Sequence, residues 1–309
     1  MTPTPDTHDP DSPPQHVLDI DDVPDLEGVL DRAVSLKRAH RGEEPTQYLD
    51  DRTLAMFFEQ PSTRTRISFE TGMTSLGGHA IMLTPEDMQL DRGEPIRDTA
   101  RAISCYVDAV MARVNDHGTI EDLAANATVP VINGLTEQAH PCQTLADLLT
   151  IRETFGGFDV SAAWVGGGNN VASSFALGCA MAGIDLTVAT PTEYGLSEEA
   201  IERADELGGA PAVTDDPAEA VADADVVYTD VWVNMGQEDE REARLAAFEG
   251  YQVSEDLLAG TDAKVMHCLP AHRGQEITDD VIEGERALVW RQAENRMHAQ
   301  NGVLVELLN

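Results

Sequence analysis

The chain has 309 residues, enough for two domains of the usual size of about 100 to 200 residues. Its 56 acidic and 20 basic residues give a formal net charge of −36. This balance argues against nucleic acids or acidic membranes as partners, because both attract positively charged protein surfaces. No apolar run approaches the roughly 20 residues that cross a bilayer, so we expect a soluble protein without a membrane segment.

The excess of acidic residues also predicts how the protein responds to salt. Lys37 and Lys264 are its only lysines, and a surface of this charge repels itself in dilute buffer. At about 1 M salt the Debye length falls to roughly 3 Å, which screens most of the repulsion. The composition resembles that of halophilic proteins, and we expect loss of structure at low salt. An acidic protein from a low-salt organism is the alternative, but it explains the scarcity of lysine less well.

The start of the chain and the cysteines indicate a cytoplasmic protein. Residues 1–15 are rich in Pro, Thr and Asp and lack the basic start and apolar stretch of a signal peptide, so we predict a disordered tail there. The cysteines, Cys105, Cys142, Cys179 and Cys268, form no C-x-x-C pair. That distribution suits a reducing compartment.

From residue 54 onward, short apolar runs alternate with segments of helical periodicity. The runs predict buried strands at 54–58, 79–83, 109–114, 129–133, 162–165, 186–189, 226–232 and 265–269. The intervening segments predict helices, most clearly at 120–127, 143–155, 171–182, 197–207 and 292–308. This alternation predicts an α/β fold of two doubly wound domains, each a parallel sheet flanked by helices.

The helix at 143–155 marks the expected domain boundary. Its sequence predicts a strongly amphipathic helix, and the Gly-Gly pair that follows ends it and provides a hinge. We therefore predict one domain at 16–150 and a second at 151–291, joined by interdomain helices. The last helix, within 292–309, is expected to pack back on the first domain.

Residues 57–70, FFEQPSTRTRISFE, carry the most informative signal. A buried strand runs into Pro61, and residues 62–66 then open a helix. Free backbone N–H groups, hydroxyl donors and two arginines would meet at the positive end of that helix, as a phosphate dianion requires. An ordinary Ser/Thr cap with solvated arginines is the alternative. Two arginines within three residues of so acidic a chain favour the anion site.

The sequence PSTRTR followed by SFE resembles the carbamoyl phosphate signature of the aspartate and ornithine carbamoyltransferase family. Further motifs follow in the family's order from about residue 50 to the end of the chain. They are QLDRGE at 89–94, DTAR at 98–101, ARV at 112–114, HPCQ at 140–143, GGGNN at 166–170, DVWVNMGQ at 230–237, HCLP at 267–270 and AENR at 293–296.

The resemblance implies transfer of a carbamoyl group from carbamoyl phosphate to ornithine, giving citrulline and phosphate in arginine metabolism. It assigns carbamoyl phosphate binding to Ser62, Thr63, Arg64, Thr65, Gln89, Arg113, His140, Gln143, Cys268, Leu269 and Arg296. It assigns catalytic roles to Arg64, Arg113, His140, Asp230 and Cys268. Donors from Thr65, Arg113 and His140 could stabilise the oxyanion of the tetrahedral intermediate. No covalent enzyme nucleophile is needed, because the acceptor amine is itself the nucleophile.

The acceptor depends on the second half of the chain. Asp230 is expected at the end of a strand, where open α/β sheets bind ligands, and its carboxylate would attract an ammonium group but repel a dicarboxylate such as aspartate. By resemblance, ornithine is bound by Asn170, Asp230, Asn234 and Met235, with Cys268 beside the reactive amine. The family generally has Asp where this chain has Gly167, and Ser where it has Asn234. Two alternatives therefore stay open, a different amine acceptor such as putrescine or an acylated ornithine, and a catalytically silent ligand-binding relative.

No metal or organic cofactor is expected. His140, Cys142, His267 and Cys268 have spacings that fit no closed zinc site, and the glycine turn at 166–168 lacks the third glycine of a dinucleotide site. Taken alone, His140 would more often be a satisfied core histidine, whereas within the HPCQ motif the active-site interpretation prevails; a buried cysteine at a strand end is the lesser alternative for Cys268. Family members form trimers in which a neighbour completes each carbamoyl phosphate pocket. Gln89 occupies the position that would reach across, so a homotrimer or a multiple of it is implied.

Overall fold

The computed structural model describes residues 14–43, 47–88, 93–234 and 236–309. It contains two parallel sheets, which confirms the predicted α/β class. The first has the order β2-β1-β3-β4, and the second has the order β7-β6-β5-β8-β9. The strands are β1 Thr53–Phe58, β2 His79–Leu83, β3 Ala109–Arg113, β4 Val131–Leu135, β5 Ser161–Val165, β6 Asp185–Ala189, β7 Ala212–Thr214, β8 Val226–Thr229 and β9 Lys264–His267.

Helices connect the strands and cover the sheets. Those of the first half are α1 Leu26–Arg38, α2 Thr63–Ser75, α3 Ile96–Ser104, α4 His117–Asn126 and α5 Pro141–Phe155. Those of the second half are α6 Asn170–Ala182, α7 Glu198–Leu207, α8 Pro217–Val221, α9 Arg241–Ala247, α10 Asp279–Glu283 and α11 Val289–Leu308. Among the described residues, none of these helices has both the length and the apolar composition needed to cross a bilayer.

Three strands differ from their predicted positions by two or more residues at one or both ends. The runs expected at 226–232 and 265–269 end as strands at Thr229 and His267, so Asp230 and Cys268 lie in the loops that follow. The strand predicted at 129–133 runs from Val131 to Leu135, since Pro130 has no N–H to contribute to the sheet. The three-residue β7 was not predicted because it is short and largely exposed, with no apolar run to mark it.

Helix α5 is buried on every side, although its sequence predicted an amphipathic helix. All residues from Pro141 to Ile151 are buried, because α1, α6 and α11 all pack against this helix. Gly156 ends α5 in the left-handed conformation, with φ 81°, as the Gly-Gly pair indicated. The division into domains at residue 150 stays a prediction. Of the tail predicted at residues 1–15, residues 1–13 lie outside the described part of the chain.

Helix α11 packs against α1, α2 and α5, and so brings the end of the chain to helices of its first half. Lys37 of α1 is 5% exposed, and its Nζ donates to Glu153 Oε2 of α5 at 2.8 Å and to Asn295 Oδ1 of α11 at 2.5 Å. Lys37 thus links α1 to α5 and to α11, and its bond to Asn295 lies beside Arg296 on α11.

Candidate active site

The polar residues predicted from the motifs follow the carboxyl ends of five strands. Ser62 follows β1, Arg113 ends β3, His140 follows β4, Asp230 follows β8 and Cys268 follows β9. The strands within each sheet are parallel, so their carboxyl ends share one edge, where loops can converge without disturbing the sheet. Arg296 of α11 joins the group from the far end of the chain.

The opening of α2 has the form expected of an anion site. Ser62 is the N-cap in extended conformation, and its hydroxyl accepts a hydrogen bond of 3.4 Å from the Thr65 N–H. A cap of this kind contributes about 1 kcal/mol to helix stability. The first four N–H groups of a helix have no partner within the helix, and the Ser62 hydroxyl satisfies only one of them. The remaining donors and the Arg64 side chain, which is exposed, can receive an anion at the positive helix end.

Two guanidinium groups meet at the buried Thr65 hydroxyl. Its oxygen accepts from Arg113 Nη1 at 3.4 Å and from Arg296 Nη2 at 3.2 Å. The pKa of Arg113 is lowered to about 10, first by burial and then by the positive charges of Arg296 and Arg64. It stays protonated at neutral pH, so three mutually repelling cations surround one point. A bound dianion would relieve that repulsion.

His140 is a neutral side chain that can still donate a hydrogen bond. Its pKa lies well below the usual value, because the ring is buried and then because Arg296 and Arg113 oppose a further positive charge. Its Nε2 accepts from Arg296 Nη2 at 3.0 Å, which leaves the proton on Nδ1. That Nδ1, like the Nε atoms of Arg113 and Arg296, is buried without a partner among the described residues. This geometry favours a ligand donor over a satisfied core histidine.

Gln143 lies between Arg296 and a buried carboxylate. Its Oε1 accepts from Arg296 Nη1 at 2.6 Å, and its Nε2 donates to Asp147 Oδ1 at 2.8 Å. These bonds fix which way the amide points and leave its second N–H for a ligand.

A cavity of about 320 Å³ opens beside Gln143. Its walls include Thr63, Arg64, Cys268 and Arg296, and it is large enough for a small metabolite.

Asp230 and Cys268 form the second polar pair. The Cys268 thiol donates to Asp230 Oδ1 at 3.1 Å, and the other carboxylate oxygen accepts from Asn169 Nδ2 at 2.7 Å. Burial, together with the adjacent Asp230, raises the pKa of Cys268 well above its usual value. The sulfur is therefore a protonated hydrogen-bond donor at neutral pH and no nucleophile. The structure thus brings the loops after β8 and β9 together.

The remaining predicted residues differ in how closely they join this group. Asn170 donates from Nδ2 to the Thr136 carbonyl at 2.6 Å, across the gap between the two sheets. The Leu269 N–H donates to His267 Nδ1 at 2.9 Å, and Leu269 has a φ of 60°, a left-handed conformation that turns the loop. The half-buried Asn234 donates its N–H to Gln237 Oε1 at 3.1 Å. Gln89 and Met235 lie outside the described residues.

One group of side chains has the composition of a metal site. Asp230, His267 and Cys268 offer ligand atoms within 4.8 Å of one another. However, His267 Nδ1 accepts from the Leu269 N–H, and its Nε2 is bonded to Glu276 Oε1 at 3.1 Å. Both ring nitrogens are therefore used within the protein, and a metal would have to displace one of these bonds. The absence of a metal cofactor stays a prediction.

Four residues that support the site were not predicted from the motifs. Asn169 caps α6 and holds Asp230, while Glu276 holds His267. Asp147 and Gln292 are buried and bonded to each other at 2.7 Å. The one signal in the sequence was the four-residue spacing of Gln143 and Asp147, which places two side chains on one helix face. The other contacts join residues far apart in the chain.

Comparison with known proteins agrees over both halves of the chain. Residues 15–153 match the family model described as aspartate/ornithine carbamoyltransferase, carbamoyl-P binding domain, and residues 159–307 match the one described as the Asp/Orn binding domain. The chain is 61% identical to an ornithine carbamoyltransferase of Haloquadratum walsbyi over 295 residues, 94% of this chain and 97% of that relative. It is 53% identical to one of Archaeoglobus fulgidus over 299 residues, 95% of this chain and 97% of that relative.

The fold agrees as well. A solved ornithine carbamoyltransferase from Pyrococcus furiosus is similar with a TM-score of 0.90 at 50% identity, covering 94% of this chain and 96% of that one. Sequence and structure thus match along nearly the whole length. The chain belongs to the aspartate/ornithine carbamoyltransferase family.

Proposed function

We propose that this protein is an ornithine carbamoyltransferase, which converts carbamoyl phosphate and L-ornithine to L-citrulline and phosphate. The observation that carries the proposal is the meeting of Arg113, Arg296 and His140 around Thr65, at the opening of α2. Carbamoyl phosphate, an acyl phosphate, would present its carbonyl oxygen to these donors when its phosphate lies at the helix end. Ser62, Thr63, Arg64 and Thr65 would bind the phosphate, and the free N–H of Gln143 would bind near the carbamoyl group.

The same arrangement accounts for the chemistry. The lone pair of the ornithine side-chain amine attacks the carbonyl carbon, and negative charge develops on the carbonyl oxygen. Thr65, Arg113 and His140 donate to that oxygen, and each such donor contributes roughly 10²- to 10³-fold to the rate. The bond between carbon and the phosphate oxygen then breaks, and phosphate leaves with the bonding electrons and takes up the proton that the nitrogen loses. Catalysis rests on positioning and electrostatics.

The acceptor half supports an α-amino acid with a positive charge. Asp230 is 5% exposed, and its carboxylate accepts hydrogen bonds from Asn169 and Cys268. These bonds fix the orientation of the carboxylate, which can then pair with an ammonium group. We propose that Asn170, Asp230, Asn234 and Met235 bind the α-amino and α-carboxylate groups of ornithine, with Cys268 beside the reactive amine. Putrescine and acylated ornithines remain the alternative acceptors, since Gly167 and Asn234 depart from the usual family residues.

An assay of citrulline formation in molar KCl tests the proposal and the role of Asp230 together. Asp230→Asn should raise the KM for ornithine by about 10- to 10²-fold, because a hydrogen bond to a charged group is worth roughly 1.5–3 kcal/mol. The KM for carbamoyl phosphate should change little. Asp223→Asn removes an exposed carboxylate in the same half of the chain and should behave like the wild type. Carbamoylation of putrescine or N-acetylornithine, but not ornithine, would favour the alternative.

We propose a homotrimer, or a multiple of it, with Gln89 reaching the pocket of a neighbour. Strand β2 supports this, because it lies at the edge of the first sheet and its Ile81 side chain is 41% exposed. Light scattering should give a mass of about 100 kDa or a multiple, three times the 33.4 kDa of one chain. Mixing Gln89→Ala and Arg64→Ala chains should restore activity, because some mixed pockets would have both native residues. A fully active monomer would contradict the proposal.

The setting of the enzyme follows from its composition and chemistry. We propose that it works in the cytoplasm, in arginine biosynthesis, and at high salt. The four cysteines are free thiols, which suits a reducing compartment. The net charge of −36 supports function in concentrated salt. The proposed reaction requires no cofactor beyond the two substrates.

A further inference from the structure

We propose that Asp147 is a positioning residue, which holds the side chains of Gln143 and Gln292 and thereby couples the carbamoyl phosphate pocket to the Cys268 loop. The proposal deepens the function proposed above and rests on it. Asp147 is fully buried in α5. Its Oδ1 accepts from Gln143 Nε2 at 2.8 Å and from Gln292 Nε2 at 2.7 Å.

Each of these amides serves a different part of the site. With its N–H group turned to Asp147, Gln143 presents Oε1 to Arg296 at 2.6 Å. In the same way, Gln292 presents Oε1 to the backbone N–H of His267 at 2.9 Å, one residue before Cys268. An amide can be turned end for end with little change in shape. A carboxylate accepts only, so it forces both amides into the orientation that satisfies Arg296 and His267.

The orientation of the two amides depends on whether Asp147 is ionised, and its surroundings determine at which pH that occurs. Burial raises the pKa of Asp147 to about 7, while Gln143, Gln292, the Tyr228 hydroxyl and Arg296 oppose the rise. The ionisable groups around it come from four elements: Tyr228 of β8, Cys268 after β9, Cys179 of α6 and Arg296 of α11. Asp147 Oδ2 and the Tyr228 hydroxyl are both buried, and neither has a hydrogen-bond partner among the described residues.

The ionised form holds the amides more firmly, because hydrogen bonds to a charged acceptor are roughly twice as strong as neutral ones. That form predominates above pH 7, since the carboxyl gains its proton as the pH falls through its pKa of about 7. Positioning is therefore best above this pH and weakens below it. The effect is separate from deprotonation of the acceptor amine, because Asp147 is fully buried and its bonds are to Gln143 and Gln292.

Two variants test the role, with Thr144→Val as the matched control. Asp147→Leu removes both acceptor atoms, and Asp147→Asn keeps one but removes the charge. Thr144 is also fully buried in α5, and its hydroxyl has no partner among the described residues, so its replacement by valine should be nearly neutral. All four proteins would be compared in molar KCl by circular dichroism, by calorimetric titration with carbamoyl phosphate and by the kcat for citrulline.

We expect Asp147→Leu to lower kcat by about 10²-fold, as loss of catalytic geometry does, and to weaken carbamoyl phosphate binding about tenfold. The kcat of the wild type divided by the kcat of Asp147→Asn should be about 5 at pH 8.5 and fall towards 1 at pH 5.5. The reason is that residue 147 loses its negative charge at low pH in the wild type, whereas the asparagine has no charge at either pH. This ratio cancels the titration of the acceptor amine. If Asp147→Leu does not fold, the Asp147→Asn ratio decides.

Unchanged carbamoyl phosphate affinity in a folded Asp147→Leu, or an Asp147→Asn ratio that is the same at every pH, would overturn the inference. A wild-type protein that binds carbamoyl phosphate but forms no citrulline would instead refute the proposed acceptor. In that event the calorimetric titration, repeated at pH 5.5 and 8.5, still decides the role of Asp147.

Discussion

Arg64→Ala should lower kcat/KM for carbamoyl phosphate by at least about 10³-fold while leaving the fold intact. Arg64 lines the cavity at the opening of α2 together with Gln143, Cys268 and Arg296. Its guanidinium is a charged donor for the phosphate, and removing one such donor from a transition state costs roughly 10²- to 10³-fold, with lost ground-state binding in addition. Its side chain is exposed, so alanine leaves no buried cavity and should not destabilise the protein.

Arg38→Ala is the control for this change. It removes an exposed guanidinium from the end of α1 that does not line the cavity, and it has the same effect on net charge. We expect its activity to stay within about twofold of wild type, as is usual for surface substitutions. If both variants retained full activity in the citrulline assay, the opening of α2 would not be the phosphate site.

Dialysis from molar KCl to about 10 mM should abolish both tertiary structure and activity. The chain has 56 acidic and 20 basic residues. At 10 mM salt the Debye length grows to about 30 Å, so the repulsion between neighbouring carboxylates is hardly screened. The folded state concentrates that charge more than the unfolded state does, so low salt favours unfolding. Near-ultraviolet circular dichroism reports the loss directly, because Trp164, Phe175 and Tyr228 form one buried aromatic cluster.

Replacing KCl by sucrose separates screening from general stabilisation. Sucrose strengthens burial by exclusion from the surface but screens no charge. We expect about 1 M sucrose at low salt to preserve little of the aromatic signal, whereas KCl preserves all of it. Equal protection by both, or full activity after dialysis into dilute buffer, would refute the halophilic interpretation.

The class of fold could be predicted from the sequence because strands and helices alternate clearly. The edge at which the site forms followed from the same pattern, since Arg113, His140 and Asp230 come at or just after predicted parallel strands. Strand ends were less predictable. Apolar residues such as Trp232 continue beyond β8, although the chain has already left the sheet at Asp230.

The contacts that orient the site could not be predicted. The bonds of Arg296 to Gln143 and Thr65 join residues 153 and 231 positions apart, and no local pattern encodes them. The same holds for Asp147, which the amphipathic prediction for α5 did not distinguish from solvent-facing residues. It is buried because α5 is covered by α1, α6 and α11, and this packing depends on segments far apart in the chain.

The most direct test of the central claim is equilibrium dialysis of the wild-type protein against labelled carbamoyl phosphate in molar KCl. If the opening of α2 with Arg64, Arg113 and Arg296 is the carbamoyl phosphate site, each chain should take up one molecule, inorganic phosphate should compete, and Arg64→Ala should take up almost none. A folded wild-type sample that retains no carbamoyl phosphate at millimolar concentration would contradict the assignment of this site.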